Sequence, residues 1–391
     1  MRIIMFYHSL LSDWNHGNAH FLRGVATELI EQGHTVDIYE PEQSWSRQNL
    51  IADYGYEPIK RFHLAYPQLT SHIYNQERLD LQEILDGADL VIVHEWNEPE
   101  LVQAIGRYRA GHRRARLLFH DTHHRSITDS EAMASYDLKE YDGVLAFGEV
   151  IRDRYLAMGW IQRAWTWHEA ADTRIFYPRE AGDEEQDDLV WIGNWGDEER
   201  SRELGEFLLD PVRELGLKAT VYGVRYPDHI LSVLKKAGME YGGWLANFDV
   251  PEVFSRFKVT IHVPRQPYVR MLPGIPTIRP FEALACRIPL VCSPWRDGQG
   301  LFQAGRDFLM ARNGRDMKKH LRDLVYDRKM ANEMAGHGYQ TIISGHTCLH
   351  RVQELLFICR NLGLNPEPAP SRRQPYKSRD ESSVLEGTSH G

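Results

Sequence analysis

Short apolar runs that alternate with helix-like segments constrain the fold of this chain more than any other feature. The first run, Ile3–Tyr7, precedes a polar turn and a series of apolar residues at helical spacing between Phe21 and Ile30. Gly33 fits the C-terminal cap of that helix. Further strands are predicted at 36–39, 90–93, 117–119, 144–147 and 164–167. Buried runs separated by helices are typical of a parallel sheet that is covered on both faces.

The pattern stops at an acidic connector and then starts again. The segment GDEEQDD, residues 182–188, contains no apolar residue, and a second series of strands is predicted at 189–192, 220–222, 259–263, 288–292 and 308–310. We therefore predict an α/β protein with two Rossmann-like parallel-sheet domains that face an interdomain cleft, where ligands of open α/β sheets bind. The predicted parts are an N-terminal domain (1–178), an acidic linker (179–188), a C-terminal domain (189–345), a C-terminal helix (346–363) and a disordered tail (364–391).

The composition limits the class of protein. A chain of 391 residues, 42% hydrophobic and 26% charged, is long enough for two ordinary globular domains. A net charge of -9 and a pI of about 6.1 make nucleic acid an unexpected partner, because its binders carry basic surfaces. The four cysteines have neither the spacing of a zinc ribbon nor the density of a disulfide scaffold. The sequence contains no run of about eighteen apolar residues and no signal-like arrangement at its start, which predicts a cytoplasmic protein.

The segment LPGIPTIRPFEALACRIPLVCSP, residues 272–294, is predicted to form a loop, a short helix and a buried strand. Pro280 suits the first helical turn, where a backbone donor is not needed, and Glu282 follows within the apolar run. A loop that enters a helix N-terminus is a natural anion site, because free N–H groups and the helix dipole point towards the ligand. Taken alone, Glu282 is more readily interpreted as an acid that is stabilised near a helix N-terminus.

The words PFEALACRIPLV resemble the nucleotide-sugar site of GT-B glycosyltransferases of the retaining family-4 type, and the longer segment resembles the spore-maturation, CgeB-like branch. This resemblance implies that Glu282 contacts the donor ribose and that backbone groups of Gly274, Thr277 and Ile278, with Arg279, contact the diphosphate. The family usually has another glutamate at the position of Gly274, so one sugar contact is absent or comes from elsewhere. The resemblance also implies a final helix that crosses back to the first domain.

Other cations are expected to face the same diphosphate. Arg200 falls where the family has a lysine, whereas Asn194 replaces an expected arginine. Arg225 and Arg265 follow predicted strands, and either is a candidate for the missing cation. The alternative for Arg200 is a solvated helix residue paired with a neighbouring glutamate.

Two segments of the first domain are predicted to face the cleft. His94 and Glu95, in HEWNEPEL, resemble a family pattern that places a histidine near the transferred sugar, and we interpret the pair as catalytic; a lone histidine is otherwise more often structural. In HSLLSDWNHGNAH, Gly17 allows the donor to approach the backbone closely. The same segment contains the candidate acceptor contacts His16, Asn18 and His20.

Two further motifs have functional and structural interpretations. HDTHH, residues 120–124, does not have the spacing of a helical zinc motif, so we predict no metal and assign His123 to the acceptor. Trp244, in GGWLAN, is a candidate for stacking on the base of the donor, or else a core residue beside a turn. The arginines of residues 107–116 form a basic cluster that is more typical of a solvated helix end than of a membrane-binding surface.

These patterns predict a glycosyltransferase that moves a sugar from a nucleotide diphosphate sugar to an acceptor hydroxyl with retention, and without a metal or other cofactor. The acceptor, whether glycan, lipid or small molecule, is not specified by the sequence. One alternative is a nucleotide-sugar epimerase or hydrolase of the same fold, in which acids and histidines of the cleft act as bases. The other is a non-catalytic protein of coat assembly that binds sugar nucleotides, which the losses at Gly274 and Asn194 favour.

Overall fold

The computed structural model describes residues 1–112, 114–180, 182, 186–196 and 199–367. Within this part of the chain the strands form two separate parallel sheets, as predicted. Parts of the predicted acidic linker, most of the predicted tail and Arg113 of the basic cluster lie outside the described residues.

The first sheet has seven strands in the order β3-β2-β1-β4-β5-β6-β7, and we call it and its helices the first lobe. Its strands are β1 Arg2–Phe6, β2 Thr35–Pro41, β3 Ser71–Tyr74, β4 Leu90–His94, β5 Arg116–Asp121, β6 Gly143–Ala146 and β7 Ala164–Thr166. Its helices are α1 Ala19–Glu31, α2 Trp45–Tyr54, α3 Glu57–Ala65, α4 Leu81–Leu85, α5 Pro99–Gly111, α6 Arg125–Thr128, α7 Ser130–Ala134 and α8 Glu149–Ala157, with a 3₁₀ turn at Gln76–Arg78.

The second sheet has six strands in the order β10-β9-β8-β11-β12-β13, and we call it and its helices the second lobe. Its strands are β8 Asp187–Ile192, β9 Ala219–Tyr222, β10 Met239–Tyr241, β11 Phe257–His262, β12 Leu290–Cys292 and β13 Leu309–Met310. Its helices are α9 Ser201–Leu204, α10 Asp210–Leu215, α11 Asp228–Lys236, α12 Val250–Ser255, α13 Gln266–Arg270, α14 Ile278–Ala285, α15 Gly314–Tyr326 and α16 Arg328–Gly345, with a π-helical turn at Gly205–Leu209 and a 3₁₀ turn at Asn247–Asp249.

The apolar runs of the sequence form the inner strands of both sheets because they are covered on two faces. The residues of β4 are all buried, and Phe21, Leu22 and Val25 of α1 are fully buried against the first sheet. In each sheet the strand order reverses beside the first strand of its lobe, at β1/β4 and at β8/β11. Loops leaving the carboxyl ends of strands at such a point diverge, and the crevice between them is where open α/β sheets bind ligands.

The last helix, α17 Cys348–Asn361, packs against α1 of the first lobe. The contact is close, because a Cβ atom on Gly24 would overlap Cys348 and Asp172. Trp167 Nε1 donates to the carbonyl oxygen of Arg351 over 2.8 Å. The chain therefore returns from the second lobe to the first at its end.

The basic cluster at the end of α5 is largely paired with carboxylates. Arg109 lies 3.0 Å and Arg116 3.5 Å from Asp142 Oδ1, and Arg114 lies 3.8 Å from Asp89. Three arginines of the cluster are therefore held by carboxylates of the same lobe. None of the described helices is both long enough and apolar enough to span a membrane.

Candidate functional site

A cavity of about 410 Å³ lies between the carboxyl ends of the two sheets. Its walls come from the loops after β1, β5 and β7 of the first lobe and from the loops after β8, β9 and β11 of the second. Eleven of the predicted site residues line it: His16, Gly17, Asn18, His123, Arg200, Arg225, Trp244, Arg265, Thr277, Ile278 and Arg279. The lining does not include His20, His94, Glu95, Gly274 or Glu282.

Arg200 is held at the point where the strand order of the second sheet reverses. Its Nη1 donates to the carbonyl oxygen of Val263, after β11, over 2.8 Å, and its Nη2 donates to the carbonyl oxygen of Asn194, after β8. The guanidinium also lies 5.4 Å from the centre of the Trp191 ring. These contacts fix a positive charge in the cavity wall. An anion that binds there does not have to order a mobile side chain, so less conformational entropy is lost on binding.

Two more arginines approach the cavity from neighbouring loops. Arg225 is exposed and forms no ion pair or hydrogen bond with the described residues, and its φ of 61° is left-handed. That backbone conformation costs a non-glycine residue about 1–2 kcal/mol, which makes Arg225 a strained cavity residue. Arg265 pairs with Glu199, to which its Nη2 donates over 3.0 Å.

Helix α14 begins at the cavity with no side chain capping its first turn. The residue that usually caps, here Thr277, instead shares a hydrogen bond of 3.0 Å between its hydroxyl and His262 Nε2. Burial, followed by the charges of Arg200 and Arg279, lowers the pKa of His262 to about 3, so the ring is neutral. The first backbone N–H groups of α14 are therefore available to an anion, with Arg279 beside them.

Glu282 lies behind this helix N-terminus and does not reach the cavity. Its side chain is fully buried, its Oε2 forms an ion pair with Arg279, and its Oε1 lies 3.0 Å from His20 Nδ1. His20 Nε2 accepts from the backbone N–H of Asp172 over 2.8 Å, so the ring proton is on Nδ1 and is donated to Glu282. His20 thus joins the two lobes and does not face an acceptor, and a ribose contact by Glu282 would require Arg279 to move.

Gly274 lies beside the loop that follows β12 and contributes no side chain to the cavity. Its φ is 97°, and its backbone N–H donates to the carbonyl oxygen of Arg296 over 2.8 Å. A Cβ atom at this position would lie 3.3 Å from the backbone nitrogen of Gly298. The close approach of two chain segments explains the glycine here without a ligand.

His94 and Glu95, predicted to be catalytic, are fully buried one layer behind the cavity wall. His94 is the last residue of β4, and its Nε2 lies 2.9 Å from the hydroxyl of Thr122, which does line the cavity. Glu95 Oε1 accepts from the backbone N–H of Thr122 over 3.3 Å, and its Oε2 lies 4.0 Å from Arg125. The pair therefore positions Thr122 and does not itself reach the cavity. Successive side chains of a strand point to opposite faces, and that of His94 points into the lobe.

The first-lobe wall of the cavity is formed by the loop after β1. Asn18 Nδ2 donates to Thr122 Oγ1 over 2.5 Å, and Gly17 lies against Ile278 of the second lobe, which would be 3.4 Å from a Cβ atom on Gly17. His16 is buried in the wall, and its Nε2 has no hydrogen-bond partner within the ranges that the structure describes. Burial lowers the pKa of His16 and of His123 well below the usual value, so both are neutral groups at the cavity.

Trp244 belongs to the contact between the lobes. Its indole Nε1 donates to Asp13 Oδ1 over 3.2 Å, and its ring lies 5.1 Å from that of Tyr54. Asp13 also accepts from Arg23 over 2.9 Å and from the backbone N–H of Asn247 over 2.9 Å. Trp244 is therefore held across the cleft, at one end of the cavity.

Asn194, Tyr268 and Glu169 line the cavity in roles that the sequence did not indicate. Asn194 occupies the position where an arginine was expected. Its Nδ2 donates to Asn15 Oδ1 across the cleft, so the residue bridges the two lobes. Tyr268 and Glu169 line the cavity from α13 and from the segment after β7. An isolated glutamate or tyrosine belongs to no recognisable sequence motif. Its position in the cavity is therefore visible only in the folded protein, where the two lobes meet.

The histidine-rich segment 120–124 does not gather ligands around one point. His120 is fully buried, and His124 Nδ1 lies 2.7 Å from the hydroxyl of Thr128. Within the described ranges, no group of three or more His, Cys, Asp and Glu side chains is arranged to hold a metal ion.

Solved structures with the same architecture are numerous, although their sequences differ widely from this one. An α-glucosyltransferase in complex with UDP and a 13-mer DNA containing an HMU base has a TM-score of 0.68 and 12% identity, over 92% of this chain and 99% of that chain. Alr3699/HepE of Anabaena in complex with UDP and glucose has a TM-score of 0.66 and 11% identity, over 92% of this chain and 100% of that chain. Sucrose-phosphate synthase of Thermosynechococcus elongatus has a TM-score of 0.62 and 13% identity, over 93% of this chain and 99% of that chain.

No curated protein matches this chain in sequence. Residues 200–357 match the family described as glycosyl transferase-like, a stretch that begins at Arg200 and ends within α17. The chain thus has the GT-B fold, as predicted, and its second lobe carries a glycosyl transferase-like sequence.

Proposed function

We propose that this protein is a glycosyltransferase that binds a nucleoside diphosphate sugar in the cavity between its lobes. The observation that carries the proposal is the uncapped N-terminus of α14 in a wall that also presents Arg200, Arg225, Arg265 and Arg279. A diphosphate is the group that such a wall suits, because N–H groups and guanidinium groups both donate to phosphate oxygens. UDP, or UDP-glucose, is bound in solved structures of the same fold.

In this proposal the second lobe supplies the stabilisation of the leaving group. The bond between the anomeric carbon and the diphosphate oxygen breaks, and negative charge develops on the distal phosphate. The helix N-terminus and the guanidinium of Arg200, which two backbone carbonyl groups hold in place, already line the cavity, so little reorganisation is needed as the charge forms. We assign the contact with the base to the end of the cavity at Trp244.

The first lobe is proposed to present the acceptor. A second cavity, of about 830 Å³, shares Trp45 and Trp96 with the first, and aromatic rings of this kind stack on the faces of sugars. The acceptor oxygen forms the new bond to the anomeric carbon, and its proton goes to the departing diphosphate. His16, Asn18 and His123, which line the first cavity, are the candidate contacts for the acceptor hydroxyl.

The same proposal includes three finer properties of the enzyme. It transfers the sugar with retention of the anomeric configuration, it needs no metal, and it belongs to the CgeB-like branch of the family-4 type. They are supported by the segment PFEALACRIPLV, which forms α14 and the start of β12 as the resemblance implies. Retention is measured by the anomeric configuration of the product. Independence of metals is measured as activity that persists in EDTA.

The test begins with calorimetry of UDP, ADP and GDP and of their glucose or mannose conjugates. We expect at least one nucleoside diphosphate to bind, and its sugar conjugate to be consumed when an acceptor from a panel of glycans, lipids and small molecules is added. Consumption without an acceptor would favour the hydrolase or epimerase alternative. Binding without turnover over the whole panel would favour a non-catalytic protein.

A further inference from the structure

Glu169 is a buried carboxyl group on the cavity wall, and one of its oxygens is unpaired within the described part of the chain. It follows β7 in the first lobe, is 2% exposed and lines the cavity. Its Oε1 is buried and has no hydrogen-bond partner among the described residues. Burying a polar atom without a partner costs about 1–3 kcal/mol, so a group in this state is expected to have a role that the free protein does not satisfy.

The segment around Glu169 is held by other residues. His168 Nδ1 lies 3.0 Å from the carbonyl oxygen of Phe147, and Asp172 Oδ1 accepts from Arg174 Nε over 2.8 Å. The backbone N–H of Ala171 donates to the carbonyl oxygen of His346 over 3.0 Å. The path of the chain is therefore fixed on both sides of Glu169, and its carboxyl group is not needed for that purpose.

The environment of Glu169 favours its uncharged form. Burial raises its pKa well above the usual value, and the neighbouring charge of Glu282 raises it further. An uncharged carboxyl group has one O–H donor and acceptor oxygens, as a sugar hydroxyl has one donor and two acceptor lone pairs. The two groups are complementary in both directions.

The neighbours of Glu169 place it next to the proposed diphosphate site. Glu282 belongs to α14, where the diphosphate is proposed to bind, and Tyr268 of α13 is close enough to Glu169 for a negative charge there to add to the effect of burial in raising the tyrosine pKa. Tyr268 also lines the cavity. A group attached to the distal phosphate would therefore lie between α14, Tyr268 and Glu169.

We propose that Glu169 binds a hydroxyl group of the donor sugar and thereby contributes to the choice of a neutral, hydroxylated sugar. This inference rests on the proposed function, because it requires the diphosphate to lie at the N-terminus of α14. It assigns Glu169 to the sugar and not to the nucleotide.

Calorimetry with the full chain separates the two assignments. The reference ligand is UDP, and the probes are UDP-glucose, UDP-galactose and UDP-N-acetylglucosamine. We expect at least one sugar to raise the affinity of the wild-type protein above that for UDP. Glu169→Ala should lower the affinity for that UDP-sugar about five- to tenfold, the usual worth of one hydrogen bond. The affinity for UDP should change less than about twofold.

Two controls keep the result interpretable. Glu169→Gln keeps a donor and an acceptor of similar shape and should retain most of the gain, whereas Glu252→Gln, at an exposed glutamate of α12, should change nothing. The proposal about Glu169 is overturned if no sugar adds affinity in the wild-type protein, or if Glu169→Ala weakens UDP and UDP-sugar equally or not at all. If ADP or GDP binds in place of UDP, the same comparison is made with that nucleotide and its sugar conjugates. Failure of the wild-type protein to bind UDP, ADP, GDP and all of their conjugates would overturn both proposals.

Discussion

At the level of single residues, some charged groups face the cavity and others are enclosed behind its wall. Arg200, Arg225 and Arg279 line the wall, whereas Glu282 is enclosed between Arg279 and His20. A buried carboxylate with two partners, one from each lobe, is part of the joint between the lobes. Its removal should therefore affect stability before it affects binding.

Glu282→Ala should lower the free energy of unfolding by about 3 kcal/mol, because it leaves Arg279 and the Nδ1–H of His20 without their buried partner. Urea unfolding curves measure the change. Glu282→Gln keeps an acceptor for His20 and should lose less. An alanine variant of unchanged stability that no longer binds UDP would instead place the carboxylate on the ribose, as the sequence resemblance implies.

Arg225→Ala should weaken the binding of UDP about three- to tenfold, because an exposed arginine with no partner among the described residues loses only its contact with phosphate. The affinity is measured by calorimetry at two salt concentrations, and the effect should shrink at high salt. Arg312→Ala is the matched control, because Arg312 is an 82% exposed arginine of the second lobe that pairs with Asp316. Equal effects of the two substitutions would show that Arg225 has no specific role.

The sequence predicted most cationic residues of the wall but not the direction of several side chains. Arg200, Arg225 and Thr277 follow strands or begin a helix, and the end of a strand is a position that a pattern can locate. His94 also ends a strand, yet it points into the lobe. Which face a terminal strand residue takes depends on its register with neighbouring strands, and sequence spacing does not contain that information.

At the scale of elements, α14 is the part of the second lobe that matters most. Its boundaries agree with the predicted loop, helix and strand, because Pro280 favours the first turn and the apolar residues after it are buried. Strands β3 and β10 were not predicted. Both are short edge strands with exposed residues, so they lack the apolar run by which an inner strand is recognised.

Ile278→Pro tests the helix N-terminus directly, because it removes one backbone N–H at a position where proline is tolerated. The preceding Thr277 is already extended, with ψ of 173°, as a residue before proline must be. Ile278→Ala is the matched control for the loss of the buried side chain. We expect the proline variant to bind UDP about five- to tenfold more weakly than the alanine variant in calorimetry. Equal affinities would mean that the N–H group does not contact the phosphate.

At the scale of the whole molecule, the two lobes are joined at two places. His20 and Glu282 join them behind the start of α14, and Asp13 with Trp244 joins them in the cavity wall. The prediction of two parallel-sheet domains with a cleft between them is confirmed, because repeated βα units define that architecture locally. The contacts across the cleft could not be predicted, because they pair residues that are far apart in the chain.

Acidification should destabilise the folded protein between pH 7 and pH 5. A buried histidine with a lowered pKa takes up its proton only after unfolding, so its stabilisation is present above about pH 6.5 and is lost as the pH falls. Carboxyl groups with a raised pKa have the opposite effect, but they are fewer among the described residues. Five carboxyl groups have a raised pKa: Glu40, Glu95, Asp121, Glu169 and Glu354. Ten histidines have a lowered pKa: His8, His16, His34, His94, His120, His123, His168, His262, His346 and His350. Unfolding curves at pH 7, 6 and 5 measure this slope. A stability that stays constant or rises on acidification would contradict it.

The central claim is that a nucleoside diphosphate binds between the lobes at the start of α14. A crystal structure of the protein with UDP tests it most directly. The account predicts phosphate oxygens at about 3 Å from the backbone nitrogens of Ile278 and Arg279, with at least one of Arg200 and Arg225 in contact. UDP bound elsewhere, or a cavity that stays closed by side chains when UDP is present, would contradict it.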